Sequence, residues 1–471
     1  MTSAADPFKK AATGIAGLDE VTGGGLPAGR ATLVCGGPGC GKTLLATSFL
    51  VHGALHDGEP GVLMSFDERG GDLEANSRSL GFDLVELQRK KLLAIDFVHI
   101  DRQEIHETGE YDLEGLFIRL GYAVDKVKAR RVVLDSIDTL FAGIPNEAIL
   151  RAELRRLFLW LKERKLSVII TAERGETSLT RHGIEEYVSD CVIVLEQRVQ
   201  DELATRRLRV VKYRGSAHGT NEYPFLITDT GLKLLPITSL GLAHTVSDER
   251  VSSGIAGLDR MLDGKGCYKG SSILVTGAPG TGKTSIGAQF ALAGIRHGER
   301  CLYYLFEESH AQLLRNMRTI GVDLQPAITS GQLRLESVRP TTHSLEMHLA
   351  RMMHTIAEFK PDRVVVDPLS ALQASGTSGQ SQIMVLRLID YLKTVGASTL
   401  YLALQGGEDR LELNISSLMD TWISVENLRR ERERERRLTI VKSRGMPHSE
   451  GESLLNIGAD GVHVTERSEA S

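Results

Sequence analysis

Aromatic residues are scarce in this 471-residue sequence, at 5%, and it holds only 2 Trp and 5 Cys. The cysteines (Cys35, Cys40, Cys191, Cys267 and Cys301) are scattered, odd in number and without a C-x-x-C pair. That pattern argues against a disulfide framework and reads as thiols in a reducing, cytoplasmic setting. No apolar run reaches the roughly 18 residues that a membrane-spanning helix needs. The opening MTSAADPFKK lacks the apolar core of a signal peptide. Basic residues do not dominate: 56 Lys and Arg stand against 61 Asp and Glu, a net charge of −5. The chain as a whole therefore carries no electrostatic footprint for nucleic acid.

Glycine, in contrast, is plentiful at 48 residues, and two stretches use it in one way. Ser272–Thr284 reads SILVTGAPGTGKT, a buried strand running into Gly277-Ala-Pro-Gly280-Thr281-Gly282-Lys283-Thr284. This is the G-x-x-x-x-G-K-[ST] phosphate loop between a strand and a helix. Its glycines let successive backbone N–H groups face phosphate oxygens, and the helix beginning near Thr284 adds its positive end. Lys283 suits the β- and γ-phosphates of ATP, and the Thr284 hydroxyl suits Mg2+. The device recurs after the strand Ala31–Cys35, as Gly36-Gly37-Pro-Gly39-Cys40-Gly41-Lys42-Thr43. Lys42 and Thr43 repeat the two roles, while Cys40 reads as space-filling or oxidation-sensitive.

The two loop lysines lie 241 residues apart (283 − 42), so a duplicated domain is expected. Gly-Ile-Ala-Gly-Leu-Asp occurs at 14–19 and again at 254–259. Near-continuous apolar strands alternate with amphipathic stretches (Leu113–Lys128, Leu345–Phe359) in both halves, which predicts α/β domains with mostly parallel sheets covered on both faces. The expected boundaries are a lead-in over 1–12, a first domain over 13–240, a linker over 241–250 and a second domain over 251–471. Each domain should end in a hairpin, Cys191–Leu195 with Arg207–Lys212 and Trp422–Val425 with Leu438–Lys442. The charged run Arg429–Arg437 reads as the solvated tip of the second.

Phosphoryl transfer needs positioned charge. Asp135 and Asp367 each end an apolar strand, as a Walker-B carboxylate holding Mg2+ through water does. The doublets Asp67-Glu68 and Glu307-Glu308 follow strands in register, where a carboxylate can orient or deprotonate a water or hydroxyl. Lys212-Tyr-Arg214-Gly and Lys442-Ser-Arg444-Gly are either ordinary surface or cations offered to a neighbouring subunit's γ-phosphate, a role worth roughly 10³–10⁵ in rate where it operates.

Over about residues 13–465 the chain resembles the KaiC family of tandem ATPases and autokinases, within the RecA/DnaB-like superfamily. The resemblance rests on Arg131-Val-Val-Leu-Asp-Ser136, Thr171-Ala-Glu-Arg174, Gly183-Ile-Glu-Glu-Tyr-Val-Ser-Asp190, Lys212-Tyr-Arg-Gly215 with Glu222-Tyr-Pro-Phe225, Val251-Ser-Ser-Gly254, and Glu307-Glu-Ser-His-Ala-Gln-Leu-Leu-Arg-Asn316. It implies two tandem RecA-like P-loop domains stacked as rings in a homohexamer, with ATP and Mg2+ between subunits. The first ring is then a slow ATPase, and the second also a serine/threonine autokinase. It places Lys212, Arg214, His218 and Asp229 on a neighbour's nucleotide in the first ring, and Lys442 and Arg444 in the second. It makes Glu307 and Glu308 the kinase-ring carboxylates and Ser416 and Ser417 the phosphorylated pair. A nucleotide-gated scaffold without kinase activity is the main alternative, and a RecA-like DNA motor a weaker one, since no basic or aromatic pore loop is visible.

Four departures from the family pattern matter. Asp67 is a methylene shorter than the family's glutamate, which is expected to alter water activation. Pro368 replaces a Ser after Asp367. Leu411 removes a hydroxyl shortly before the Ser pair. The family's C-terminal extension, where a KaiA activator docks, is not found. A KaiB-like partner is therefore compatible with the chain, and KaiA is not expected.

Overall fold

A computed structural model describes residues 8–68, 70–98, 114–141, 147–175, 179–180, 189–200, 203–234, 247–375, 378–405, 415–430 and 433–466. The chain divides into two compact units, Met1–Ser239 and Leu240–Ser471. The unit 1 strands begin with a short pair, β1 (Lys10–Ala11) and β2 (Leu26–Pro27). Its large sheet holds β3 (Ala31–Gly36), β4 (Gly61–Ser65), β5 (Leu93–Phe97), β6 (Arg131–Asp135), β7 (Ser167–Glu173), β8 (Cys191–Gln200), β9 (Leu203–Tyr213), β10 (Glu222–Thr228) and β11 (Gly231–Leu234). The second unit repeats this with the pair β12 (Arg250–Val251) and β13 (Cys267–Tyr268). Its large sheet holds β14 (Ser272–Gly277), β15 (Cys301–Leu305), β16 (Leu333–Ser337), β17 (Arg363–Asp367), β18 (Ser398–Leu404), β19 (Thr421–Arg430), β20 (Glu433–Ser443), β21 (Ser453–Gly458) and β22 (Gly461–Glu466).

The spatial orders are β11-β10-β9-β8-β3-β7-β6-β4-β5 and β16-β15-β17-β18-β14-β19-β20-β21-β22. They are one order written from opposite edges. From β8 to β5, and from β19 to β16, every pairing is parallel; the remaining strands add on antiparallel. The α/β class with mostly parallel sheets is thus observed in both units. Side-chain alternation explains the apolar strands. In unit 1, Val34, Leu63, Val133, Ile169 and Ile193 enter one core. Their strand neighbours Leu33, Val62, Val132, Val168 and Val192 enter another on the opposite face. A strand covered on both faces must be apolar at successive positions. The helices Lys42–His52 and Lys283–Arg296 leave the ends of β3 and β14 and bury most of their length.

Several expectations are refined. The amphipathic stretches become helices Glu114–Val127 and Leu345–Phe359. Arg250, assigned to the linker, is in β12. Most of Arg429–Arg437 is ladder rather than turn, with Leu428 opposite Glu435 and Arg429 opposite Arg434. Backbone groups make that ladder whatever the side chains are, and Arg437 finds Glu452 at 2.7 Å. All five cysteines are buried. Among the described residues no helix is long and apolar enough to cross a membrane. Leu411 and most of Gly183–Asp190 lie outside the described residues.

The start of each Walker-B strand carries a buried arginine. Arg363 is 1% exposed. Its Nε donates to Glu299 at 2.5 Å, and its Nη1 donates to the carbonyls of Ser252 and Phe290 at 2.8 and 3.0 Å. Arg131 does the same work with Glu59, Ala12 and Phe49. Each guanidinium ties the strand, the P-loop helix and the segment entering the domain. Replacing one partner of a buried pair strands the others. Arg363→Met is therefore expected to destabilise the second unit by about 3 kcal/mol in urea denaturation. Arg89→Ala, which removes only an exposed ion pair, should leave the urea denaturation midpoint nearly unchanged. Equal effects would contradict the clamp.

Candidate functional site

Both phosphate loops fold as the motif requires. Gly41 and Gly282, the residues before the lysines, take φ of 101° and 97° at the helix N-caps, a conformation that side chains with a Cβ rarely adopt. A Cβ on Gly37, Gly39 or Gly280 would meet nothing within 4 Å, so the loop backbones are open to an approaching phosphate. Lys42 Nζ donates to the carbonyls of Gly36 and Gly37 at 2.8 and 3.1 Å. Lys283 Nζ donates to Gly277 and Ala278 at 2.7 and 2.9 Å. Burial pushes the Lys283 ammonium below its usual range, while Asp367 and Glu307 oppose that shift. Cys40 and Thr281 occupy equivalent loop positions and both are buried. The Thr281 hydroxyl donates to Ala278 O at 2.9 Å, and burial pushes the Cys40 thiol upward, away from thiolate chemistry.

The Walker-B carboxylates lie beside the loops. Thr43 Oγ1 donates to Asp135 Oδ2 at 2.7 Å, and Thr171 donates its hydroxyl to Asp135 Oδ1. Burial raises the Asp135 carboxyl above its ordinary range. Asp367 is held by Thr284 and by Tyr303, whose hydroxyl donates to Oδ2 at 2.9 Å. Burial pushes Asp367 up to about 6, opposed by those two hydroxyls and reinforced by the nearby Glu308. Among the described residues no cluster of three or more His, Cys, Asp or Glu could hold a metal by protein ligands alone. One carboxylate and one hydroxyl beside an open phosphate cradle fit Mg2+ bound largely through phosphate oxygens and water. The residues therefore fit both ATP and Mg2+.

The acidic doublets follow β4 and β15, beside the Walker-B strands. Glu308 Oε2 is buried without a hydrogen-bond partner, a costly arrangement that suits a group reserved for an incoming proton. Glu307 is exposed. In the first unit Asp67 is already engaged: Ser136 Oγ donates to its Oδ2 at 2.7 Å and Thr139 donates to its Oδ1. Pro368, at the place of Ser136, offers no such donor. Glu68 Oε2 accepts a long bond from Asn76, at 3.4 Å.

The basic pairs lie elsewhere. Lys212 is opposite Val192, which neighbours Leu33 near the start of β3. The loop begins at Gly36, opposite Leu195, itself opposite Leu208. Three residues along β3 and β8, roughly 10 Å, separate the two levels, with a bulge adding one residue on β9. Lys442 and Arg444 repeat the placement: Lys442 is opposite Trp422 beside Leu274, and the loop begins at Gly277 beside Val425. Lys442 Nζ donates to Ser416 O at 2.6 Å, and Arg444 Nη2 donates to Ser417 O. His218 contacts Ser216 O and the Tyr213 ring, and Asp229 is exposed after β10. None of these four cation positions sits at its own loop's end of the sheet. Sequence reasoning missed Thr171, Ser136, Tyr303 and Arg436, whose Nε lies 3.5 Å from Gly280 O. Ser136 directly follows Asp135, and Thr171 and Tyr303 lie on neighbouring strands; no spacing marks their roles, and the register of the strands brings their hydroxyls to the carboxylates.

With the geometry in place, the chain can be set against known proteins. The family described as "ATPase: KaiC" matches residues 11–239 and again 251–469. Circadian clock protein KaiC2 of Synechocystis sp. is 52% identical over 462 residues, covering 97% of this chain and 81% of the relative. Circadian clock protein KaiC3 of the same organism is 37% identical over 467 residues, covering 98% and 92%. Circadian clock oscillator protein KaiC of Synechococcus elongatus is 36% identical over 445 residues, covering 93% and 86%. Two P-loop units of one topology, each matched across nearly its full length, place this chain in the KaiC family of P-loop ATPases.

Proposed function

We propose that the chain hydrolyses ATP at both loops and phosphorylates Ser416 and Ser417 with the second, each site being completed by a neighbouring copy in a homohexameric ring. The observation that supports this reading best is strand register. Ser416 and Ser417 precede β19, at the level of Ser272, where β14 begins. Their own phosphate loop follows the other end of β14. A γ-phosphate bound there is on the wrong side of the sheet for these hydroxyls. Lys442 and Arg444 hold the carbonyls of the Ser pair, so cations and acceptor would approach another copy's nucleotide together.

The chemistry assigns a role to each group. Lys283 and the loop N–H groups hold the phosphates in line. Mg2+ bound near Thr284 and Asp367 would neutralise phosphate charge. Glu308 takes the proton of the incoming serine or water, whose oxygen bonds to the γ-phosphorus as the β–γ bridging P–O bond breaks and ADP leaves with that electron pair. In the first unit Asp67 is occupied by two hydroxyls, which favours slower hydrolysis. A KaiB-like protein is the partner class that this reading suggests. A nucleotide-gated scaffold without kinase activity keeps every loop feature and differs only in leaving the serines unmodified.

A mixing experiment separates these readings. Glu308→Gln chains, which keep their serines, are mixed with Ser416→Ala/Ser417→Ala chains, which keep Glu308, and given γ-labelled ATP and Mg2+. Label is expected on Ser416 or Ser417 of the Glu308→Gln chains, and on neither variant alone. Released phosphate without protein label would leave the scaffold reading. Lys442→Ala and Arg444→Ala should each lower second-domain turnover by roughly 10³-fold while leaving nucleotide binding intact; lost binding would contradict a role on a neighbour's phosphate.

Acidity provides a further check. A metal takes the ionised carboxylate, and Asp367 titrates near 6. Protons therefore compete below that pH. Lowering the pH from about 7.5 to about 5 should weaken Mn2+–nucleotide binding at the second loop roughly tenfold, with the first loop disabled by Lys42→Ala. An affinity flat across this range would contradict the assignment of Asp367.

A further inference from the structure

The two units solve one problem with different residues. In unit 1 the carboxylate of Asp135 receives a hydroxyl from Thr171 on β7. The equivalent position on β18 is Leu402: Val34 pairs with Thr171 and Val275 with Leu402. That hydroxyl is gone. Tyr303 on β15 replaces it, donating to Asp367 Oδ2 at 2.9 Å. Its unit 1 counterpart on β4 is Leu63, for Leu63 pairs with Val133 and Tyr303 with Val365.

A tyrosine needs more room than a leucine, and a third difference supplies it. Four residues after the loop lysine, unit 1 has Ala46 and unit 2 has Gly287. A Cβ on Gly287 would lie 2.8 Å from the Tyr303 hydroxyl and 3.1 Å from Leu402 Cδ1. Tyr303, Leu402, Ala46, Leu63 and Thr171 are all 0–1% exposed. Each of the three exchanges is therefore explained by the other two. The donor moves from one flanking strand to the other, leucine fills the vacated place, and the P-loop helix loses a methyl so that the phenol fits.

We infer that Tyr303 is a positioning residue of the second nucleotide site: its hydroxyl fixes the Asp367 carboxylate for the metal, in the place that Thr171 takes in the first. Thr284 holds the same carboxylate from the P-loop side. Partners of this kind orient a metal-binding group and commonly change metal affinity about 10–100-fold when removed. The inference rests on the second loop binding a metal–nucleotide complex and is independent of autokinase activity.

The test uses the full chain carrying Lys42→Ala, so that only the second loop binds. Mn2+ affinity is measured by electron paramagnetic resonance with a β,γ-imido analogue of ATP, and melting of the metal-free protein is followed in parallel. Tyr303→Phe, which keeps the ring and removes the hydroxyl, should weaken Mn2+ binding about tenfold or more. Adding Leu402→Thr should restore it by returning a hydroxyl from β18, which mere packing by the ring would not predict. The triple exchange Tyr303→Leu, Gly287→Ala and Leu402→Thr, which installs the unit 1 arrangement, should bind Mn2+ like the parent. Unchanged affinity in Tyr303→Phe would overturn the inference, as would a folded double variant no better than the single one. If Tyr303→Phe does not fold, the triple variant decides: folded and binding supports the inference, folded and not binding overturns it. A parent chain that binds no Mn2+–nucleotide would overturn the reading of the second loop itself, and this inference with it.

Discussion

A carboxylate with almost no exposure to water sits at the end of a central strand in each unit. Asp135 and Asp367 are both 8% exposed, and an ionised group so placed is costly unless other groups hold it. That requirement links the parts of the fold. The P-loop helix must start close enough for Thr43 or Thr284 to donate. A neighbouring strand must bring a second hydroxyl at the same level. The strand carrying the carboxylate must be fixed at its other end, where Arg131 or Arg363 clamps it to the helix and to the segment entering the domain. Phosphate chemistry is built on a charge that the protein can keep in place only by surrounding it.

Strand order then decides what each copy can do alone. Parallel strands gather the loop, the Walker-B carboxylate and the acidic doublet at their C-terminal ends, as open α/β sheets do. The antiparallel return through β9 or β20 carries Lys212 and Arg214, or Lys442 and Arg444, to the opposite end. Nothing in a single sheet brings Lys442, Arg444 or the Ser416–Ser417 pair round to the loop of the same unit. Under the proposed function, a site needing those groups draws them from another copy. The two units share this division and differ in their fine chemistry. Asp67 is tied down by hydroxyls of Ser136 and Thr139, whereas Glu308 keeps a buried oxygen with no partner.

Much of this was legible in the sequence, for identifiable reasons. The loops were readable because phosphate binding fixes both residue type and spacing. The central strands were readable because burial on both faces makes them continuously apolar. The strands Leu93–Phe97 and Leu333–Ser337 were not, because they lie at sheet edges and mix polar with apolar residues. The charged hairpin was misjudged because composition suggested a solvated turn, while backbone pairing extends along the ladder regardless of charge. Tyr303 was invisible for a different reason. It is 64 residues from Asp367, and only the register of β15 against β17 makes its hydroxyl a partner rather than one more buried aromatic. The contact of Lys442 with Ser416 is equally a product of tertiary placement.

The central claim is that each nucleotide site is completed by groups from a second copy. The most direct measurement is specific ATPase activity against protein concentration, with the assembly state followed on the same samples by sedimentation. The account predicts that activity per chain rises as copies assemble and falls away where the chain is monomeric. Full activity per chain in a demonstrably monomeric sample would contradict it, because a single copy would then hold everything that the reaction needs.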